Sequence, residues 1–422
     1  MRARAAVGQA FQYGLIIFTL TALLGIANAT QIFGALDRDT LLAHLYSGAV
    51  GWITMSVIGI AIWMFAREED DLFAPVMLSA LTMAAYVMAF WSGVFILQAV
   101  FALAELAVIL YWWWFVYTRV QAQGGVGRLE ISKLSFVFGL TTLLVGSLGV
   151  IVQLLFATAS SALTEGSSLS GHAAAVTGGY FVLVAAGFAE WQLTGSAKRT
   201  TLGLAQVYLL FVGALLLAAS LILDAVVAQP MGPFVPILAT LLIVAGTLIL
   251  VFRVGQAAIA APWMAKTGTR HIAIAVGFLA LAAVLQAVVM QQLIAAQGDV
   301  SQVSTGLLHA LDHAYFVGAM TNLIFGAILV TSSDGGSTLS KIPARPRVWP
   351  WADDIIFWGL NVGAAALIAV LLASGSGEGK GAFIHPVSFV APIMGLAALL
   401  GIATYLVRLM GVPAAISRRA RA

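Results

Sequence analysis

Long apolar runs separated by short polar loops occupy most of this chain. A helix needs about 20 mainly apolar residues to cross a bilayer, and twelve runs of the 422-residue chain reach that length. Only 9% of the residues are charged, whereas soluble domains average about 25%, and the mean hydropathy is +1.02. The sequence therefore predicts an all-α, polytopic membrane protein with a single transmembrane domain over residues 1–422. We place the spans near 11–33, 41–66, 72–93, 95–118, 132–157, 168–193, 201–226, 232–255, 271–294, 305–331, 350–373 and 385–409.

Basic residues predict the direction of the spans, because cytoplasmic loops of membrane proteins are enriched in Lys and Arg. With the N-terminus in the cytoplasm, 18 of the 20 Lys and Arg residues fall on the cytoplasmic side, and only Arg38 and Lys380 fall outside. A miscounted span would mix the two sides. We therefore expect both termini in the cytoplasm (N-in, C-in) and a multi-pass protein of a bacterial-type inner membrane.

The chain contains no cysteine, which limits the cofactors and cross-links that it can hold. This absence excludes disulfides, c-type haem attachment, cysteine-ligated iron–sulfur clusters and thiolate zinc sites. The net charge of +3 is scattered over short loops, so nucleic acid is not an expected partner. Candidate functional groups must therefore be sought among the histidines and carboxylates of the spans.

Five of the six histidines fall near the start of an even-numbered span and therefore lie toward the outer face of the membrane. Histidine is rare and costly inside a bilayer, so a one-sided set indicates haem or metal ligation. The five are His44, His172, His309, His313 and His385, whereas His271 lies toward the opposite face.

Spans 2 and 10 carry related motifs. In each, a histidine (His44 or His313) is followed two residues later by a tyrosine and then by two glycines eight residues apart. Small residues let another helix or a flat macrocycle approach the backbone. The spacing predicts a bis-histidine haem between His44 and His313, with an interfacial histidine as the alternative for His44. The glycines are Gly51 and Gly59 in span 2, and Gly318 and Gly326 in span 10.

The remaining candidates have weaker sequence contexts. His309 shares a helix face with His313, four residues on, and such a pair can chelate a metal. His172 begins span 6 beside glycines, and its alternative is again an interfacial histidine. His385 precedes Pro386 and is interpreted as a helix-start residue. Glu105 lies in the middle of span 4, where we expect a protonated or hydrogen-bonded carboxyl, with a proton path as the other role.

These motifs resemble subunit I of the haem-copper oxidase superfamily, in the branch of C-family oxidases, nitric oxide reductases and the smaller NnrS-type proteins. The resemblance covers most of the chain, through the twelve spans and the outward histidines on spans 2, 6 and 10. It implies a subunit I-like bundle in which the histidines of spans 2 and 10 hold a low-spin haem and that of span 6 ligates copper. His44, His313 and His172 match these positions.

The chain departs from that family pattern at the copper site. The oxidases carry adjacent histidines on span 7, where this chain has Gln206 and Tyr208, and a His-x-His motif on span 10, whose first position is Leu311 here. The departures predict that the usual binuclear centre is absent and argue against copper.

The sequence thus predicts a membrane protein with one b-type haem, acting in respiratory electron transfer or in the handling of nitric oxide or oxygen. Its expected partners are subunits of a respiratory complex or a periplasmic electron carrier, and any enzyme activity would be that of an oxidoreductase. Three alternatives stay open: a secondary transporter without haem, a cofactor-poor structural subunit, and a terminal enzyme using His172, His309 and Gln206.

Overall fold

The computed structural model describes residues 2–157, 175–195, 198–227, 232, 234–296, 302–332, 348–377 and 380–410. Within these ranges the regular structure is helical, and β pairing is limited to one isolated bridge between Ile32 and Gly34. A 3₁₀ turn, Val126–Arg128, joins two of the long helices. In chain order these are α1 Arg2–Thr30, α2 Arg38–Phe65, α3 Phe73–Trp91, α4 Phe95–Ala122, α5 Ile131–Ala157, α6 described from Ala175 to Thr194, α7 Thr201–Val227, α8 Phe234–Ile259, α9 Gly268–Ala295, α10 Thr305–Ser332, α11 Ala352–Ser374 and α12 Val387–Met410.

The helices follow the predicted spans. Eleven of the described helices are long and apolar enough to cross a membrane, and the first part of the predicted sixth span lies outside the described residues. The largest difference is at the N-terminus, where α1 begins at Arg2 because the alanine-rich start favours helix. The break between α3 and α4 falls at Gly93, whose φ of +65° suits glycine.

A capping residue defines the start of α2, the helix that carries His44. Asp37 Oδ1 accepts a hydrogen bond from the Thr40 N–H at 2.7 Å. That bond lowers the pKa of Asp37, so the cap is charged and engaged at neutral pH. The position of His44 along α2 is therefore set by a defined helix start.

The chain forms two compact units. The first comprises residues 1–94, 261–272 and 316–422, and within it α1 packs against α2, α3 and α12, while α11 packs against α12. The second comprises residues 95–260 and 273–315, and within it α5 packs against α4, α6 and α7, while α7 packs against α8. Helices α9 and α10 each contribute residues to both units.

The glycines of the repeated motif serve helix packing. In the first unit, Gly51 faces Ile17 of α1 so closely that a Cβ could not be accommodated. A Cβ on Gly326 of α10 would lie 2.6 Å from Ile272 Cγ1 of α9. Of the two expected uses, approach of another helix is therefore the one observed at these positions.

Buried ion pairs join helices at the predicted cytoplasmic side of each unit. In the first unit, Arg408 of α12 bonds Asp353 of α11 at 2.7 Å. In the second unit, Arg253 of α8 forms a two-point ion pair with Glu190 of α6 and donates to Gln206 Oε1 of α7. Although Glu190 lies near the end of α6, it is only 2% exposed. Arg253 compensates the charge that this burial would otherwise leave unpaired.

Removal of the Arg253 charge should be strongly destabilising. Arg253→Met leaves the Glu190 carboxylate buried without its cation, and breaking a buried pair costs about 3–5 kcal/mol. The double variant Arg253→Met/Glu190→Leu should regain most of that free energy of unfolding, because no isolated charge remains. Thermal or denaturant unfolding in detergent measures both, and a double variant as unstable as Arg253→Met would contradict the assignment.

Candidate functional site

His44 is held by a backbone carbonyl of α1. Its Nδ1 lies 3.0 Å from Thr21 O, and since a carbonyl only accepts, Nδ1 is the donor. The neutral ring then presents the Nε2 lone pair, the atom that a metal would take. Ligating histidines commonly donate their other ring N–H to a carbonyl in this way.

Small and polar neighbours fix the position of this imidazole. The Thr21 hydroxyl donates to Ser47 Oγ at 2.8 Å, and Ser47 Oγ donates to His44 O at 3.0 Å. On α1, a Cβ added to Gly25 would lie 3.0 Å from His44 Cε1. Even a methyl group at position 25 would therefore press against the ring.

His313, in the second unit, has the same kind of partner. Its Nδ1 lies 2.7 Å from His309 O, the carbonyl one turn earlier on α10. Nδ1 again donates, and a metal would bind through Nε2. The bond involves the backbone of His309 and not its ring, so it gives no sign of the chelating pair. His44 and His313 belong to different units, and their pairing on one iron stays a prediction.

Helices α2, α6 and α10 each contain a π-helical segment, and these are the three such segments in the described ranges. Each segment lies within three residues of a predicted ligand: His44, His172 or His313. Single π turns are rare and occur often at functional sites. The sequence analysis did not anticipate them. They are Ser47–Thr54, Ala175–Phe181 and Ala314–Thr321.

A threonine closes two of the π segments in the same way. Thr54 Oγ1 donates to Ala49 O, and Thr321 Oγ1 donates to Phe316 O, each at 2.9 Å and each five residues back. The backbone bonds of a π-helix also span five residues, so each hydroxyl adds a second donor to a carbonyl within its segment. A threonine at the end of a glycine-rich, histidine-led stretch is the sequence signal for this arrangement.

His271 belongs to a buried polar cluster that the sequence analysis missed. Its Nδ1 lies 2.9 Å from Asn322 Oδ1, and Asn322 exchanges hydrogen bonds with Asn361 at 2.8 and 3.2 Å. Because Asn322 Oδ1 is the acceptor, His271 carries its proton on Nδ1. His271 is 0% exposed, and these bonds make it part of the packing of α9, α10 and α11 within the first unit.

The remaining predicted site residues are Glu105, Gln206 and His172, and each has a different environment or standing. Glu105 is buried in α4 and lies beside Ser147 of α5, while its role in a proton path stays a prediction. Gln206 Oε1 accepts a bond from Arg253, which disfavours the metal set of His172, His309 and Gln206. His172 itself lies outside the described residues.

His385 is a helix-start residue, in agreement with the sequence interpretation. Its Nδ1 accepts the Val387 N–H at 3.3 Å, and its Nε2 donates to Ser374 O at 3.1 Å. Both ring nitrogens are therefore engaged by the backbone, in contrast to the single carbonyl bond recorded for His44.

Comparison with known proteins agrees with this architecture. The bundle has the fold of haem-copper oxidase subunit I, as the sequence predicted. A solved haem-copper terminal oxidase, determined as a dimer by cryo-electron microscopy, matches with a TM-score of 0.69 and 12% sequence identity. The match covers 97% of this chain and 84% of that chain. No family model and no curated protein sequence matches, so the similarity is one of fold.

Replacement of His385 should affect stability alone. His385→Ala removes a cap from α12 and one bond to α11, which should lower the free energy of unfolding by about 1–2 kcal/mol. Thermal unfolding in detergent measures the loss. A variant with wild-type stability would contradict the helix-start role.

Proposed function

We propose that this chain is a membrane haemoprotein that binds b-type haem through His44 and His313. The observation that supports this most directly is the carbonyl bond at Nδ1 of each ring, to Thr21 O and to His309 O. Such bonds orient an imidazole and make its other nitrogen a better ligand. The oxidase-type fold over nearly the whole chain supports the same role.

The residues around His44 fit this function. Thr21 and Ser47 hold the ring and its backbone, and Gly25 leaves the space that the ring occupies. When bound, haem supplies reversible one-electron transfer at its iron. The protein contributes the ligand geometry and a low-dielectric bundle interior, which are the features that tune a haem.

We further propose that the protein lacks the usual binuclear centre and copper. The positions that would supply its ligands hold Gln206, Tyr208 and Leu311, and Arg253 engages Gln206. A haem without that centre suits electron transfer or the handling of nitric oxide or oxygen within a respiratory complex. A periplasmic electron carrier is then the expected redox partner. Any enzyme activity would be that of an oxidoreductase.

Spectroscopy of the purified protein tests the haem assignment. We expect a Soret band, a low-spin reduced-minus-oxidised spectrum, one iron per chain and no copper. His44→Ala and His313→Ala should each abolish the low-spin signal because an axial ligand is lost. His385→Ala is the matched control and should keep the full spectrum, since both of its ring nitrogens bond the backbone.

The outcomes of this experiment are distinct. A colourless, iron-free protein would contradict the proposal and favour a transporter or a structural subunit. An unchanged spectrum in His313→Ala would reject that residue as a ligand. Stoichiometric copper would reject the proposed loss of the binuclear centre.

A larger side chain at position 25 should disturb the haem without touching a ligand. Gly25→Val places methyl groups where His44 Cε1 already lies 3.0 Å from a Cβ, so the imidazole must turn away. We expect a large loss of low-spin signal. Gly8→Val, on the same helix with nothing within 4 Å of its Cβ, is the control. Equal spectra of the two variants would show that the contact with Gly25 does not position His44.

A further inference from the structure

One hydrogen bond in the first unit joins two of the π segments. Trp52, within the segment of α2, donates its Nε1–H to Oγ1 of Thr321, which ends the segment of α10, at 3.2 Å. Trp52 is 1% exposed and Thr321 is 2% exposed, so water cannot replace this bond. The indole N–H has no acceptor capacity and needs such a partner when buried.

The Thr321 hydroxyl is both an acceptor and a donor of hydrogen bonds. It accepts the Trp52 N–H and donates to Phe316 O, the carbonyl five residues back in the π segment. One oxygen therefore joins the indole of α2 to the widened turn of α10. Loss of the hydroxyl would leave the buried Trp52 N–H without this acceptor, which is the costly case for hydrogen bonds, and would remove one donor from Phe316 O.

Packing holds both ends of this bond in place. Trp52 stacks on Phe18 of α1 with ring centroids 4.6 Å apart and planes at 8°, and its ring meets Phe325 of α10 edge-on at 5.9 Å. The residue after Thr321, Asn322, bonds His271 of α9 and Asn361 of α11. The end of the α10 segment is thus tied to three other helices.

The register of a π segment decides where a preceding side chain points. A π turn accommodates one residue more than an α turn, and each residue turns an α-helix by about 100°. If a segment reverted to α geometry, the part of the helix before it would rotate by about that angle relative to the part after it. His44 and His313 are located in those preceding parts.

We propose that the Trp52–Thr321 hydrogen bond is a positioning link that locks the π segments of α2 and α10 and thereby sets the direction of His44 and His313. The effect on the haem rests on the function proposed above, whereas the locking of the segments does not. Trp52 and Thr321 are positioning residues that act through their helices.

The second unit provides a control pair with the same chemistry, although it is only partly buried. Trp113 Nε1 donates to Thr141 Oγ1 at 3.1 Å, and Thr141 Oγ1 donates to Val137 O at 2.9 Å. The chemistry is the same, but the carbonyl lies four residues back in an ordinary α-helix. Variants of this pair therefore report the general cost of losing a Trp–Thr bond.

Hydrogen exchange measured by mass spectrometry tests the link independently of haem. Thr321→Val keeps the side-chain shape but removes the bond, whereas Trp52→Phe removes the bond together with part of the ring that packs on Phe18. Exchange of amides 314–321 should become about tenfold faster in Thr321→Val, because the turn loses a buried partner. Thr321→Ser should restore the wild-type rate, and Trp113→Phe and Thr141→Val should leave residues 47–54 and 314–321 unchanged.

The electron paramagnetic resonance spectrum of the haem provides a second test of the link. Thr321→Val and Trp52→Phe should shift the low-spin electron paramagnetic resonance signal, and the control pair should not. Wild-type exchange in both Thr321→Val and Trp52→Phe would overturn the proposal, as would failure of Thr321→Ser to restore it. If the wild type has no haem, the proposed function fails, and the exchange rates still decide whether the link exists.

Discussion

Inside a bilayer every backbone N–H and C=O group must find its partner within the protein, and this constraint governs the whole bundle. A regular α-helix meets it unaided, so irregular backbone can persist only where another group compensates. The hydroxyls of Thr54 and Thr321 do so for the carbonyls of Ala49 and Phe316. The π segments beside His44 and His313 thus combine their own five-residue backbone bonds with a buried hydroxyl donor, which the spacing of histidines and glycines does not reveal.

The helical architecture could be predicted from sequence because its determinants are local. A run of about 20 apolar residues indicates a membrane span, and recognising it requires no information from any other part of the chain. Gly93, with its left-handed backbone, marks the break between α3 and α4, and Pro386 marks the start of α12. The interpretation of His385 succeeded for the same reason, since its bond to the Val387 N–H is formed within three residues.

The site could be predicted only in part because its remaining determinants are pairings across the chain. Trp52 and Thr321 are separated by 269 positions, and His271 and Asn322 by 51. A single sequence shows no sign that such residues meet. Glu190 shows the same limit: it lies near the end of its span, yet it is buried in an ion pair with Arg253, 63 residues later. The π segments have no apolar periodicity of their own, so the hydrophobic pattern of the sequence does not reveal them either.

Arg270, a 1% exposed residue in the first turn of α9, forms an ion pair that has a consequence for the biogenesis of the bundle. Its carboxylate partner, Asp354 on α11, is 84 residues further along the chain. Helices enter the membrane roughly in the order of synthesis, so α9 is present before that partner exists. An uncompensated arginine resists entry into the hydrocarbon region. We therefore expect Arg270 to stay at the hydrated surface until α11 is inserted, so that α9 reaches its final position only after a helix two steps later in the chain.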